Sequence, residues 1–299
     1  MSEAATADPR LATALIDPAP YLPFLEPRIA HPPGLMPLAP EDWIILHDDL
    51  AVQLAIRDAL IAETPDTVLA LSEAGRAAAM ELWPLFLAHL ATRQGYGVTD
   101  QTVTRPDGVT VPLDPHRPLA TLGRLVADDL CLMVPDNGAY RLEGAALCFP
   151  SRWSLAEKMG KALAAIHHPV PDYDDVLARR VQRVFDALKP GRPLWRINWL
   201  MHTDPALHQP PAQGHRITGD FFLRTERQTL NRLPQTGAVV FGIKTSITPI
   251  DALPPEVAAG LARETAALDP DAIEYRIGTD NHRRAQDRLA VLAQGGEIA

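Results

Sequence analysis

Cysteine is almost absent from this chain: Cys131 and Cys148 are the 2 in 299 residues. Two thiols cannot staple a secreted fold, and a pair so widely spaced is neither a CxxC redox motif nor a zinc knuckle. Both lie in apolar runs, Asp-Leu-Cys131-Leu-Met and Ala-Leu-Cys148-Phe, and read as buried, inert thiols. Positive charge is also short, with 28 Lys and Arg against 37 Asp and Glu and a net charge of -9. That balance disfavours nucleic acid or an acidic membrane surface as a partner. No apolar run approaches the roughly 20 residues that span a bilayer. The start, MSEAATADPRLATALID, has no basic region followed by an apolar block and cleavage site, so the expected location is cytoplasmic. Several motifs are missing as well: no GxxxxGK[ST], no HExxH, no GxSxG, no CxxCH, and no GxGxxG after a strand. If the chain handles electrons, it has no standard nicotinamide site, and a separate reductase must supply them.

What is present is ample apolar material, 46% of residues, and 29 prolines. Pro9, Pro18, Pro20, Pro23, Pro27, Pro32, Pro33, Pro37 and Pro40 rule out long helices or strands at the start and predict an arm laid over the surface. Tyr21, Leu22, Phe24 and Leu25, interleaved with them, predict that the arm packs on something. LAVQLAIRDALIAE and LSEAGRAAAMELWPLFLAHLATR have helical spacing, the second with a kink or break expected at Pro84. DQTVTRPDGVTVPLDPHRP reads as an irregular hairpin. Strands are expected near 129–134 and 140–149, joined by Pro135-Asp136-Asn137-Gly138. Helices follow at about 154–167, with Ser154 as N-cap, and about 173–188. Further strands are expected near 194–202, 216–226 and 238–248, then helices near 255–267 and 280–294.

Three late strands without crossover helices pair antiparallel. The expected fold is therefore α+β: a PAS-like antiparallel sheet with helices on one side, elaborated by N-terminal and C-terminal helices. The expected organisation is one elaborated domain over 1–299. It comprises a Pro-rich arm (1–48), a helical and irregular part (49–117), the PAS-like core (118–250) and C-terminal helices (251–299).

Three segments carry a resemblance. CFPSRWSLAEKMGKALAAIHHPVPDY (148–173), RINWLMH (196–202) and LRTERQTLNRLPQTGAVVFGIKTSITPI (223–250) occur in order and resemble the haem-dependent oxidative N-demethylase family. The likeness runs from about Gly34 to the helices near 294. It implies haem b, with its iron, bound in the PAS-like core, and oxidation of a small methylated amine with O2. A partner flavin/iron–sulfur reductase would deliver the electrons, in agreement with the missing dinucleotide motif.

The resemblance also selects residues. A non-covalent haem needs an axial ligand, cations for its propionates and an apolar slot. In the motif Ile-His-x-Pro-Val-Pro the first histidine is His167, which makes it the candidate axial iron ligand; His168 fills the variable position. Pro169 and Pro171 would stiffen the exit from its helix. The other reading of His167 is a cation capping carbonyls at a helix C-terminus. Arg224, Glu226 and Arg227 form the tightest charged cluster, with Arg224 and Glu226 on one strand face and Arg227 on the other. Either arginine suits a propionate, and an Arg–Glu structural network is the alternative. Glu226 is a candidate for attracting the cationic amine.

Arg196 and Asn198 share a face, opposite Ile197 and Trp199; Trp199 reads as a core anchor or a cation–π wall. Arg196 and Lys158 join the cofactor-binding candidates, and Asn198 and Glu226 are the catalytic candidates. Lys244 is weighed for a propionate too, against a solvated surface position. His202, His208 and His215 are too irregularly spaced for a zinc site. A haem-binding PAS sensor, or a non-catalytic haem- or ligand-binding protein, is the competing functional class.

Overall fold

β-branched and aromatic residues build three long strands late in the chain: β8 (Leu194–His202), β9 (Phe222–Arg232) and β10 (Val239–Pro249). The computed structural model describes residues 8–16, 19–25, 34–167, 175–211 and 219–296. The three strands join β1 (Met36–Pro37), β2 (Leu69–Leu71), β6 (Asp129–Asp136) and β7 (Ala139–Ala146) in a seven-stranded sheet of order β1-β8-β9-β10-β6-β7-β2. Every strand pairing in it is antiparallel, so the α+β expectation holds. The β6–β7 hairpin turns at Asn137 and Gly138, with φ 48° and 81°, the two left-handed residues of a tight hairpin turn. A small separate sheet of β3 (Gly97–Val98), β4 (Thr102–Thr104) and β5 (Thr110–Pro112) contains the Pro-Asp-Gly hairpin.

Alternation gives the large sheet two faces. On the front, Cys131, Met133, Leu142, Leu230 and Val239 pack with Leu155, Leu163 and Phe185. These last three belong to α4 (Leu155–Lys158), α5 (Leu163–His167) and α6 (Asp175–Ala187). On the back, Leu130, Leu132, Ala146 and Val240 pack against α2 (Glu73–Ala91) and α3 (Pro118–Gly123). Met201 and Leu223, also on the back, meet Val257 and Leu261 of α7 (Pro255–Ala266) and Leu289 of α9 (Thr279–Ala293). α1 (Leu50–Glu63) lies across the end of β10, its Ile56 and Leu60 against Ile247. No helix among the described residues is long and apolar enough to cross a membrane.

Four local expectations are corrected. α2 runs unbroken through Pro84, which lies on its exposed side, so water can satisfy the carbonyl that loses its N–H partner. The single helix expected over 154–167 is two, α4 and α5. Between them Gly160 takes φ 72° and its N–H bonds the carbonyl of Leu142 at 2.8 Å, while Leu142 N–H bonds Lys161 O at 3.1 Å. The free edge of β7 thus captures this backbone. The strand expected near 216–226 is displaced toward the C-terminus as β9, because pairing with both β8 and β10 carries it to Arg232. Lastly, α8 (Pro270–Arg276) was not expected; its signal is Asp269, whose carboxylate accepts from Ala272 N, followed by Pro270.

Candidate functional site

The front of β8, β9 and β10 carries the polar residues singled out from sequence. Asn198 pairs with Glu226 across β8–β9, and Glu226 with Thr245 across β9–β10; one step along, Arg196 pairs with Gln228, and Leu200 with Arg224. Three side-chain donors converge on the nearly buried Glu226 carboxylate: Arg224 Nε at 3.1 Å, Asn198 Nδ2 at 3.3 Å and Gln228 Nε2 at 3.3 Å. Such convergence holds a carboxylate in one orientation.

The three arginines differ in what they have left to offer. Arg224 is fully buried, and its remaining donors go to Leu207 O (3.2 Å), Phe149 O (2.6 Å) and Thr245 Oγ1 (3.3 Å). Arg227 is on the back face, as alternation predicts. It bonds the carbonyls of Trp43 (3.2 Å) and Asp42 (2.5 Å) and lies 5.6 Å from the centre of the Trp195 ring. Both guanidinium groups are thus engaged by the protein itself. In Arg196 one nitrogen is left over: its buried Nε has no hydrogen-bond partner among the described residues. Burial lowers the Arg196 pKa, and the charge of Glu226 opposes that shift.

An apolar wall adjoins this polar row. Half-buried Trp153, Met159, Ile166, Leu194 and Phe241 pack on the front-face cluster. Ile166 belongs to α5, so the helix that ends at His167 packs on the same face as Arg196 and Glu226. The side chain of His167 lies outside the described residues, as do His168, Pro169, Pro171 and His215. Lys158 donates to the carbonyl of Ile166 at 2.5 Å, tying α4 to the C-terminal turn of α5, where a cation also suits the helix dipole. Its pKa is lowered by burial first and by neighbouring Lys161 second.

The remaining candidates lie elsewhere. Lys244 is fully buried on the back face, 3.0 Å from Asp49, and is no solvated lysine. Trp199 packs by Phe24 with Arg276 over its ring at 5.8 Å, so it is both core anchor and cation–π partner, with a side chain of the protein as the cation. His202 bonds Gln209 Oε1 at 2.6 Å, and His208 bonds Cys148 O at 2.8 Å. The two cysteines are free and buried, and burial pushes the Cys148 thiol up to about 12.

Sequence reasoning missed the support beneath the site. Arg57 and Asp129 form a fully buried ion pair at 2.6 Å. Asp129 also accepts from the N–H groups of Cys148 (2.6 Å) and Phe149 (3.0 Å), and Phe149 O in turn receives Arg224. The available signal was an arginine on an apolar helix face and an Asp-Asp pair opening an apolar strand.

A family model described as haem-dependent oxidative N-demethylase, alpha subunit-like, matches residues 34–285. The chain belongs to this family. The N-demethylase match begins just before β1 and runs into α9, so it takes in both faces of the sheet and leaves out the first 33 residues. The family description is that of a haem-dependent oxidoreductase. The residues present suit such a group. An apolar wall, an arginine with an unsatisfied buried nitrogen and an oriented carboxylate share one face, next to a helix that ends in histidine.

Proposed function

We propose that this protein is a cytoplasmic haem-dependent oxidative N-demethylase acting on a small methylated amine, with electrons supplied by a separate flavin/iron–sulfur reductase. The observation that carries the reading is Arg196: a buried guanidinium nitrogen without a partner among the described residues, beside Glu226 and on the face where α5 packs. An anion from outside the chain would satisfy it, and a haem propionate is such an anion. His167 would hold the iron, and Phe241, Ile166 and Met159 would line the macrocycle. When bound, haem supplies the reductive activation of O2 that oxidises the N-methyl group, released as formaldehyde.

The chain's own residues bind and orient. Glu226, held by Arg224, Asn198 and Gln228, attracts the ammonium form of the amine and fixes its direction; Asn198 keeps that carboxylate from turning. Arg224 is a positioning residue in this scheme: through Phe149 and Leu207 it ties the carboxylate to the loops on either side. Lys158 holds the end of α5 by its Ile166 carbonyl and so supports the direction of His167. The alpha subunit of the family's description accords with electrons arriving from a partner.

The test has two parts. Purified protein titrated with haemin is expected to develop an intense Soret band, strongly reduced in His167→Ala. Reconstituted with a reductase and offered methylated amines, it is expected to release formaldehyde. No saturable haem binding by the wild type would sink the reading. Haem binding without formaldehyde from any amine, under a competent reductase, would favour a sensor or carrier.

A further inference from the structure

The back face holds a second concentration of buried polar groups that plays no part in the proposed reaction. Lys244 Nζ lies 3.0 and 3.1 Å from the two Asp49 oxygens and 3.0 Å from Thr245 O, and Arg227 is turned to the carbonyls of Asp42 and Trp43. Both cations are thus directed away from their neighbour Asp128. That residue is fully buried, yet neither carboxylate oxygen has a hydrogen-bond partner among the described residues. Thr229 Oγ1 and Gln53 Oε1 are unpartnered in the same way.

Gly242 brings two of these oxygens together. A Cβ placed on it would come 2.6 Å from Thr229 Oγ1 and 4.0 Å from Asp128 Oδ1, so both oxygens lie over the bare Cα of this glycine, and only a glycine leaves the Thr229 hydroxyl room there. A buried carboxylate without hydrogen bonds is costly, and native proteins meet that cost with ordered water where the site is polar and roomy enough. The unpartnered atoms here are four acceptor oxygens and one donor, Arg57 Nη2, so the occupant must bring donors and be able to accept as well. The charges surrounding Asp128 are Arg227 on β9, Lys244 on β10, Arg57 on α1 and Asp129 on β6, with Asp49 bound to Lys244. Together with Asp128 they balance, so no net field draws in an additional cation. A neutral donor fits.

We propose that Asp128, Thr229 and Gly242 form a site for ordered internal water, extended toward Gln53 and closed by Tyr21 of the proline-rich arm. The Tyr21 ring stands 6.3 Å from that of Trp195 and 5.7 Å from that of His47, and its hydroxyl is 3.3 Å from His47 Nε2. Its phenol is pushed up to about 12 by burial, and Arg227, 5.6 Å from the centre of the same Trp195 ring, connects it to the charges around Asp128. The arm therefore has work beyond covering apolar surface: it separates a buried, ionisable acid from bulk solvent.

The test begins with a crystal structure of the wild-type protein at a resolution that shows water. Density for at least one water within hydrogen-bonding distance of both Asp128 and Thr229 Oγ1 is expected; a dry space, or a protein group bonded to Asp128, would overturn the proposal. Gly242→Ala is expected to expel that water and lower Tm, and a variant that keeps the water in place would count against the site. Closure by the arm is read from the Asp128 carboxyl carbon by NMR. Its titration midpoint is expected to drop toward that of an ordinary aspartate in Tyr21→Ala, and an unchanged midpoint would remove Tyr21 from the proposal.

Discussion

On the front of the sheet Glu226 is met by three side-chain donors while Arg196 beside it keeps a nitrogen without a partner among the described residues; on the back Asp128 meets no donor among them while Lys244 and Arg227 beside it are engaged. The same strands thus leave a spare donor on one side and spare acceptors on the other. A buried polar atom without a partner costs about 1–3 kcal/mol, so each side calls for a partner beyond the described residues. In the proposals made above, the front receives an anion and the back a neutral donor, although both faces are rich in charge.

The largest effect that would break this contrast is expected from Lys244→Met. It leaves the Asp49 carboxylate buried without its cation, a change that costs about 3–5 kcal/mol. A lower urea midpoint at unchanged m-value is the expected readout, and adding Asp49→Leu should recover much of the loss.

Next comes the acidity of Asp128, which burial raises to about 6 from an ordinary value of 3.8. A carboxyl that binds its proton more tightly when folded stabilises the protein at low pH, and that contribution fades as pH rises from about 4 to 6. Relative to Asp128→Asn, the wild type should lose about 3 kcal/mol across this window. Parallel stability curves for the two proteins from pH 4 to 7 would refute the assignment.

On the front, Arg196→Met should change stability by less than about 1 kcal/mol, because no bond of its Nε is lost. Haem affinity should nonetheless fall by about 1.5–3 kcal/mol, the range for a hydrogen bond to a charged group, as measured by haemin titration. Equal haem affinity in variant and wild type would show that Arg196 is not the anchor. The smallest effect is expected from Gly160→Ala, at about 1 kcal/mol: the φ of 72° penalises a Cβ although the space around it is open. Thermal unfolding would register it, with the front-face network intact.

Much of this arrangement was legible in local pattern. Period-two alternation placed Arg224 and Glu226 opposite Arg227, and Arg196 and Asn198 opposite Trp199, and all of these faces are as expected. Asn137-Gly138 announced its hairpin, and Ser154 its N-cap, whose hydroxyl accepts from Glu157 N. What pattern misjudged were features set by distant backbone. The split between α4 and α5 depends on the edge of β7, and the survival of α2 through Pro84 on which side of the helix faces water. The Arg57–Asp129 and Lys244–Asp49 pairs join residues 72 and 195 positions apart, a distance that no local window spans.

By itself, then, the sequence determined the long strands with their faces, most of the long helices and the family, because these follow from neighbouring residues and their spacing. Which arginine remained available was decided only in the tertiary structure. Arg196, Arg224 and Arg227 are equivalent as side chains, and their roles diverge because a guanidinium forms its bonds with whatever carbonyls and carboxylates folding brings within reach. Folding brought Phe149 and Leu207 to Arg224 and the arm-side carbonyls of Asp42 and Trp43 to Arg227, and left the Nε of Arg196 unpartnered among the described residues.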